Sequence, residues 1–166
     1  MKQIDISTPK YPNTFTLVDD SDYDWLNQWK WRAVKDRNTF YAVRSAYLPN
    51  GKHRWILMHR EILGLKFGDL RQTDHRNHNG LANWRDNLRA CTNTENQHNQ
   101  RAKKGCTSKY KGVCWAKRPN KWQACIRNNY KRYRLGFFVS EKDAAKAYDR
   151  AAVKYFGKFA CLNFPM

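Results

Sequence analysis

The stretch SEKDAAKAYDRAAVKYFG, residues 140–157, decides the fold of the C-terminal third of this chain. Its apolar residues recur at helical spacing, which predicts a helix with one face rich in alanine. The residues predicted on this face are Ala144, Ala147, Tyr148, Ala151, Ala152 and Tyr155. Ser140 and Asp143 have the spacing of a capping box, and Gly157 ends the helix. A helix with such small side chains can approach a sheet closely.

Three short runs of alternating residues precede this helix. They are YKGVCWAK, KWQACIRN and YRLGFFV, which begin at residues 110, 121 and 133. The turn-forming segments RPN and NYKR separate them, and this pattern predicts a three-stranded antiparallel meander. Residues 109–166 are therefore expected to form a module in which a three-stranded antiparallel sheet packs on one helix.

The motifs of this module resemble a known DNA-binding domain. Between residues 108 and 165 the chain contains Tyr-x-Gly-Val, Trp-x-Ala-x-Ile-Arg, Leu-Gly-x-Phe, Ala-Ala-x-Ala-Tyr-Asp-x-Ala-Ala and Leu-Asn-Phe-Pro. This set resembles the Apetala-two domain, the plant ethylene-response-factor type. The resemblance implies that the sheet lies in the major groove of double-stranded DNA. The residues that it places toward DNA are Lys111, Trp115, Lys117, Arg118, Lys121, Trp122, Arg127, Arg132 and Arg134.

Two considerations qualify this interface. Only alternate strand residues can face DNA because the other sheet face packs on the helix, and Trp122 fits a core position at the sheet edge better than a base-stacking one. Cys114, Trp115 and Ala116 also replace arginines of the plant pattern. Cysteine cannot read guanine bidentately as arginine does, so the plant target sequence does not transfer to this chain.

The formal net charge of +18 is distributed unevenly. Residues 1–100 hold 15 Lys and Arg against 11 Asp and Glu, whereas residues 101–166 hold 17 against three. A positive field of this size attracts polyanions and favours nucleic acid as the partner. A merely solvated basic surface is the alternative that charge alone leaves open.

Composition also excludes several classes of protein. No run of 18 apolar residues occurs, and the segment MKQIDISTPK lacks the apolar block of a secretory signal. We therefore expect a cytoplasmic protein, in the host bacterial cytoplasm if it is phage-encoded, with no membrane partner. Five cysteines without a Cys-x-x-Cys pair argue against a disulfide framework and a four-cysteine zinc site.

The first seventy residues are typical of short strands. FTLVDDSDYDWLNQWKWRAV and FYAVRSAYLPNGKHRWILMH carry aromatic and β-branched residues in rough alternation, with PNG at 49–51 as a turn between two arms. HREILGL predicts one or two helical turns ending at Gly64. We expect a small sheet whose Trp and Tyr supply most of its core. A basic linker is predicted at 101–108, where the sequence shows no periodicity.

The segment TDHRNHNGLANWRDNLRACTNTENQHNQ, residues 73–100, holds three histidines and seven asparagines. Thr92 and Glu95 have capping-box spacing, so the order strand, loop, strand, helix is predicted. In that arrangement Asp74 and Asn96 converge, and their oxygens suit a hard cation such as Mg²⁺. His75 is then free to take a proton from water.

This segment resembles the HNH motif of phage and intron-encoded homing endonucleases. The residues that carry the resemblance are Asp74, His75, Asn83, Asn87, Leu88, Arg89 and Asn96. WILMHREILGL upstream is also similar to such proteins. The resemblance implies an HNH nuclease domain over residues 1–100 with a ββα-metal core at about 72–100. It makes His75 the general base, Asp74 and Asn96 the ligands of Mg²⁺ or Mn²⁺, and Asn87 a brace for the loop.

Several alternatives stay open within this stretch. His98 competes with Asn96 as the last ligand, although residues two apart on a helix point about 200° apart. His75, His78 and His98 together suit zinc. His59 is expected to pack against the core of this domain.

The fold class predicted from all of these observations is α+β. The predicted function is a site-specific DNA endonuclease that hydrolyses a phosphodiester with the metal's help, leaves a 5′ phosphate and a 3′ hydroxyl, and nicks one strand as a monomer without an obligatory protein partner. The alternative is a DNA-binding transcription regulator with an idle nuclease module. A third reading, an RNA-binding factor, fits the charge but not the Asp-His and Asn pattern.

Overall fold

The computed structural model describes residues 1–47, 51–102 and 105–165 of the chain. The chain divides into two compact units, Met1–Asn96 and Gln97–Met166. This division falls a few residues before the predicted linker at 101–108. Lys103 and Lys104 of that linker, and Pro49 and Asn50 of the predicted PNG turn, lie outside the described residues. No helix in the described ranges has the length and apolar character needed to cross a membrane.

Two antiparallel sheets and two helices begin the first unit. The elements are β1 (Lys2–Asp5), β2 (Phe15–Val18), α1 (Asp20–Asn27), β3 (Arg32–Asp36), β4 (Thr39–Tyr47), β5 (His53–Leu57) and α2 (Met58–Ile62). β1 pairs with β2, and β3, β4 and β5 form a meander in that order. The two predicted strand-rich segments therefore contribute β2, β3, β4 and β5, and α1 occupies the polar stretch between the first two of these.

The core of the first unit is mainly aliphatic. Its buried hydrophobic cluster comprises Ile4, Ile6, Val18, Leu26, Trp31, Ala33, Ala42, Met58, Ile62 and Leu88. Trp31 is fully enclosed, and its indole Nε1 donates to the Leu26 carbonyl at 2.8 Å. Trp29 and Trp55 instead remain 45% and 51% exposed. The prediction that Trp and Tyr supply most of this core is therefore wrong, because the strand aromatics lie largely at its margin or in solvent.

The histidine and asparagine stretch folds in the predicted order of elements. β6 (Gln72–His75) pairs antiparallel with β7 (Leu88–Cys91), and α3 (Asn93–His98) follows. The capping box at the start of α3 is confirmed, since Thr92 N donates to Glu95 Oε2 at 2.8 Å and Glu95 N donates to Thr92 Oγ1 at 3.2 Å.

The second unit confirms the predicted sheet with one helix packed on it. β8 (Val113–Ala116), β9 (Lys121–Asn128) and β10 (Lys131–Phe138) form an antiparallel sheet with β9 in the centre, and α4 (Glu141–Phe156) packs across it. The Ser140 side chain accepts a hydrogen bond from Asp143 N, as an N-cap should. Tyr155, predicted on the buried face, is 37% exposed, and Phe156 occupies the core in its place.

A buried carboxylate fastens the end of the chain to this unit. Asp149 Oδ1 accepts from Asn163 N at 2.9 Å, and its Oδ2 accepts from Phe164 N at 2.9 Å. Asn163 in turn bonds both the backbone N–H and the carbonyl of Lys111. The Tyr-Asp and Leu-Asn-Phe motifs therefore serve packing, since together they join α4, the chain end and the entry to β8.

A side chain of α4 approaches the backbone closely at Gly112. Its φ is +76°, and a Cβ placed there would lie 1.9 Å from a ring carbon of Tyr148 and 2.8 Å from the Cys125 carbonyl oxygen. Gly105 has a similar φ of +83° but open space around it. The two glycines therefore share a backbone requirement and differ in packing.

We predict that Gly112→Ala destabilises the second unit by more than about 3 kcal/mol, because a methyl group there must displace Tyr148. Gly105→Ala should cost about 1 kcal/mol, which is the left-handed backbone penalty alone. Urea unfolding followed by circular dichroism measures both variants. Equal losses in the two would contradict the close packing of α4 on the sheet.

Candidate functional site

Asp74, the first predicted metal ligand, forms a buried ion pair. It lies directly opposite Arg89 in the β6–β7 register, and its Oδ2 accepts from Arg89 Nε and Nη2, each at 2.6 Å. Both side chains are less than 10% exposed. A divalent cation at Asp74 would have to share this carboxylate with a guanidinium, and like charges in contact oppose binding. The ion pair with Arg89 occupies Oδ2 of Asp74, and the Mg²⁺ or Mn²⁺ site on Asp74 and Asn96 stays a prediction.

His75, the predicted general base, lies in a buried hydrogen-bond network. Its Nε2 is 3.0 Å from Asn83 Oδ1, and Asn83 Nδ2 donates to Thr16 Oγ1 at 2.8 Å. Because the amide nitrogen of Asn83 is committed to Thr16, its oxygen accepts and Nε2 carries the proton. Burial lowers the pKa of His75. The imidazole therefore joins β6 to β2 across the core in its neutral form.

Asn87 braces the loop, as predicted. Its Nδ2 donates to the Ala82 carbonyl at 2.7 Å and to Asn77 Oδ1 at 3.0 Å, and its Oδ1 accepts from Asn77 N at 3.1 Å. The carboxamides of this stretch take the place of water for the backbone of a loop that has no regular pairing. Its asparagine content is explained by this bracing.

Asn96 and His98, the two alternatives for the last ligand, have separate surroundings. Asn96 Nδ2 donates to Gln72 Oε1 at 2.7 Å within the first unit. His98 lies in the second unit, where its ring stacks on Phe156 with centroids 3.7 Å apart and its carbonyl accepts from Lys111 Nζ. In the described ranges, no three His, Cys, Asp or Glu side chains are grouped to hold a metal ion, so the zinc alternative lacks its geometry.

His59 packs against this network, as predicted. Its ring centroid lies 5.1 Å from that of His75 and 5.1 Å from that of Tyr41. Nδ1 of His59 is buried and makes no hydrogen bond. Burial, reinforced by the neighbouring His75 and Arg60, lowers the pKa of His59 to about 3. His59 is therefore neutral in the folded protein at ordinary pH.

In the second unit, the sheet has one covered and one open face. Val113, Ala124 and Ile126 belong to the core against α4. The intervening residues point the other way, and the register places Lys121 opposite Ala116, Arg127 opposite Arg132, and Cys125 opposite Arg134. We call this side of the sheet the open face. Its cationic members are Lys121, Arg127, Arg132 and Arg134.

Five other predicted contact residues lie elsewhere. Trp122 packs on the alanine cluster and Trp115 is its direct partner, so both indoles belong to the helix side, where they form an edge-to-face pair at 5.0 Å. Lys111 donates to the His98 carbonyl at 2.6 Å, and burial lowers its pKa. Trp122 therefore lies at the core position expected for it, Trp115 and Lys111 lie off the open face, and their contacts with DNA stay a prediction. The other two, Lys117 and Arg118, lie exposed in the β8–β9 turn.

Sequence reasoning missed Cys125 and Gln123 of the open face. Arg132 Nη2 donates to Cys125 Sγ at 3.2 Å, and this bond raises the pKa of Arg132. Cys114 Sγ lies 3.7 Å from Gln123 Oε1 beside them. The signal that could have found them is strand alternation. If Ala124 is assigned to the core, its neighbours Gln123 and Cys125 must point to the opposite face of the sheet.

We predict that Asn83→Ala lowers the free energy of unfolding by about 2 to 4 kcal/mol, because it removes the buried hydrogen bonds that Asn83 makes to Thr16 Oγ1 and His75 Nε2. Asn27→Ala, at an exposed amide, should stay within about 0.5 kcal/mol. Denaturant unfolding of both variants provides the comparison, and equal small effects would show that the network is not stabilising.

A second prediction concerns pH. The His59 pKa is depressed from 6.5 to about 3 in the folded state, so the unfolded chain binds the additional proton. The associated stability is complete above pH 6.5 and is lost as the pH falls toward 3, with a slope of about 1.4 kcal/mol per pH unit. His59→Leu should flatten the profile between pH 6.5 and 5, whereas His53→Leu at an exposed strand position should not. Thermal melts at several pH values measure the slope.

Comparison with known proteins gives no match to any protein-family model. Sixty residues, 36% of this chain, are 47% identical to an AP2/ERF and B3 domain-containing protein of Oryza sativa subsp. japonica, of which they cover 16%. Over 65 residues, 39% of the chain, it is 40% identical to the AP2-like ethylene-responsive transcription factor TOE2 of Arabidopsis thaliana and 38% identical to APETALA2-like protein 2 of Oryza sativa subsp. indica. It covers 13% and 15% of these two relatives.

These matches support the Apetala-two resemblance, and their length is that of the C-terminal module. They overturn the endonuclease prediction, because several of the similar proteins, TOE2 among them, are transcription factors by name and no match supports the HNH resemblance. The predictions of an enzyme, of phosphodiester hydrolysis and of a phage source are wrong on these findings. Over 60 to 65 residues the chain is therefore similar to AP2-type plant proteins, and it spans less than a fifth of the length of these relatives.

Proposed function

We propose that this protein is a regulator of transcription that binds double-stranded DNA through the open face of its C-terminal sheet. The observation that carries the proposal is the placement of Lys121, Arg127, Arg132 and Arg134 on the one sheet face that α4 does not cover. The similarity to plant transcription factors over 60 to 65 residues supports it.

The geometry of the open face suits the major groove. Arg132 and Arg134 are two residues apart on β10, so their side chains leave the sheet about 7 Å apart along the strand. Arg127 lies directly opposite Arg132. A guanidinium can bond guanine O6 and N7 together, and B-DNA admits strands in its major groove. Three arginines on neighbouring strands can therefore contact successive base pairs or the phosphates beside them.

Cys125 positions one of these arginines. The bond from Arg132 to its sulfur, at 3.2 Å, restrains a long side chain before DNA arrives and lowers the entropy lost on binding. Cys114 and Ala116, on the same side of β8, are small and leave room for a DNA backbone. Because one sheet serves one groove, we propose that the protein binds as a monomer.

The positive charge of the second unit attracts DNA over a distance, before direct contacts form. Residues 101–166 contain 17 Lys and Arg against three Asp and Glu, so the field around the second unit attracts phosphates over several ångströms. A-form RNA has a major groove too deep and narrow for strands to read. We therefore expect duplex DNA to be preferred over duplex RNA of the same length.

We predict that Arg132→Ala with Arg134→Ala weakens duplex-DNA binding by about 30- to 20,000-fold, since the two arginine contacts together contribute about 2 to 6 kcal/mol. The salt dependence of log K should also become shallower by up to about two units if both arginines contact phosphates. A specific duplex, selected from a randomised library, is titrated by fluorescence anisotropy at several salt concentrations.

The matched control is Lys142→Ala with Lys146→Ala, which removes the same charge from exposed positions on α4. If net charge alone caused binding, the two double variants would lose affinity equally, and the open face would not be the reading surface. Unchanged circular dichroism excludes unfolding as the cause of a loss.

A further inference from the structure

A cleft in the first unit has the composition of a nucleotide site. Its volume is about 670 Å³, and its lining includes Trp29, Lys30, Trp31, Arg32, Arg44 and Ser45. Three cations and two indoles line it, with no carboxylate among its described lining residues. We call it the Trp29 cleft. Small-ligand sites occupy about 300 to 1,000 Å³, so the space suits one nucleotide.

Trp29 is held in place although much of its ring is in solvent. The Arg44 guanidinium lies 4.2 Å from the centroid of the indole, and Glu61 fixes that guanidinium through two hydrogen bonds, at 2.6 and 3.1 Å. The ring nevertheless remains 45% exposed. An indole that is rigid before binding loses little entropy when a planar group stacks on it.

Arg32 contributes a donor that lacks an acceptor. Its guanidinium carbon lies 4.7 Å from the centroid of Trp55, and its Nε is buried without a hydrogen bond. A buried donor without a partner is unfavourable. Lys30, next to it in the chain, is exposed. A phosphate oxygen that entered the cleft would supply the missing acceptor and find two cations beside it.

We propose that the Trp29 cleft binds an unpaired nucleotide of a nucleic-acid single strand, with the base stacked on Trp29 and a phosphate at Arg32 and Lys30. Single-strand binding sites combine these two elements, an aromatic ring for the base and cations for the backbone. This site lies in the first unit and does not depend on the function proposed for the second.

Other occupants explain less of the lining. A duplex keeps its bases stacked on one another and presents no base face to Trp29. An apolar ligand would supply no acceptor to Arg32 Nε and no anion to Lys30, whereas Arg44 is already paired with Glu61. An acidic peptide would satisfy the cations but would gain nothing from the exposed indole. The unpaired nucleotide accounts for the indole, the cations and the unmatched donor together.

The test uses the full chain carrying Arg132→Ala and Arg134→Ala, which suppresses binding by the open face. Labelled oligothymidylate and oligouridylate are titrated by fluorescence anisotropy. Trp29→Ala should weaken binding of at least one strand by about fivefold or more, because stacking of one base contributes at least about this factor. Trp29→Phe, which keeps an aromatic ring, should recover most of the affinity.

Phe67→Ala is the matched control. Phe67 is also an exposed aromatic of the first unit with an arginine over its ring, since the Arg54 guanidinium lies 4.6 Å from its centroid, but it lies outside the cleft. This variant should bind like its parent. Lys30→Glu, at a surface position that tolerates substitution, should weaken binding without unfolding the protein, which provides a second measurement if Trp29→Ala is unstable.

Equal affinities for Trp29→Ala, Phe67→Ala and the parent would overturn the proposal, and so would a loss that Phe67→Ala shares. Tighter binding of oligothymidylate or of oligouridylate supports the proposal and shows whether the cleft prefers single-stranded DNA or RNA. In the chain with intact Arg132 and Arg134, Trp29→Ala should leave duplex binding unchanged, so failure at the cleft is distinguishable from failure of the open face.

Discussion

The packing of the α4 alanines against the three-stranded sheet is the contact on which the second unit depends. Ala144, Ala145 and Ala152 are fully buried there, and Gly112 allows Tyr148 to approach the backbone of the sheet within van der Waals distance. Strand residues alternate between faces, so a close helix on one side leaves every second residue on the other. The open face with its arginines is a direct consequence of that contact.

The same contact explains which of the predicted DNA-contact residues lie away from the open face. Trp115 and Trp122 take helix-side positions and shield the end of the alanine cluster. Lys111 is engaged with the carbonyl of His98 at the entry to β8. Asp149 and Asn163 then close the unit by joining the chain end to α4 and to Lys111. Motifs shared with DNA-binding proteins are therefore partly packing motifs, since a residue can be part of a recognisable pattern without touching DNA.

The first unit uses its polar residues for a different purpose. Asn83, with no exposed surface, connects His75 to Thr16, and Asn87 connects its loop to the Ala82 carbonyl. Asp74 is neutralised by Arg89 across the strand pair. In the sequence, such a cluster resembles a catalytic site, because amides, imidazoles and carboxylates are found both in catalytic sites and in polar cores. The hydrogen bonds described for this cluster link it to backbone groups and side chains of the first unit.

The sequence by itself determined the elements of the second unit. The signals are local: residues alternate over 110–139, apolar residues recur at helical spacing over 140–157, and positive charge is concentrated in this part of the chain. They can therefore be recognised without knowledge of the fold. The order of β6, β7 and α3 was determined by the same kind of local signal. Tertiary structure decided which side chains face one another. It placed Arg89 on Asp74, Cys125 beside Arg132 and Arg44 on Trp29, because strand register and side-chain contacts depend on residues that are distant in the chain.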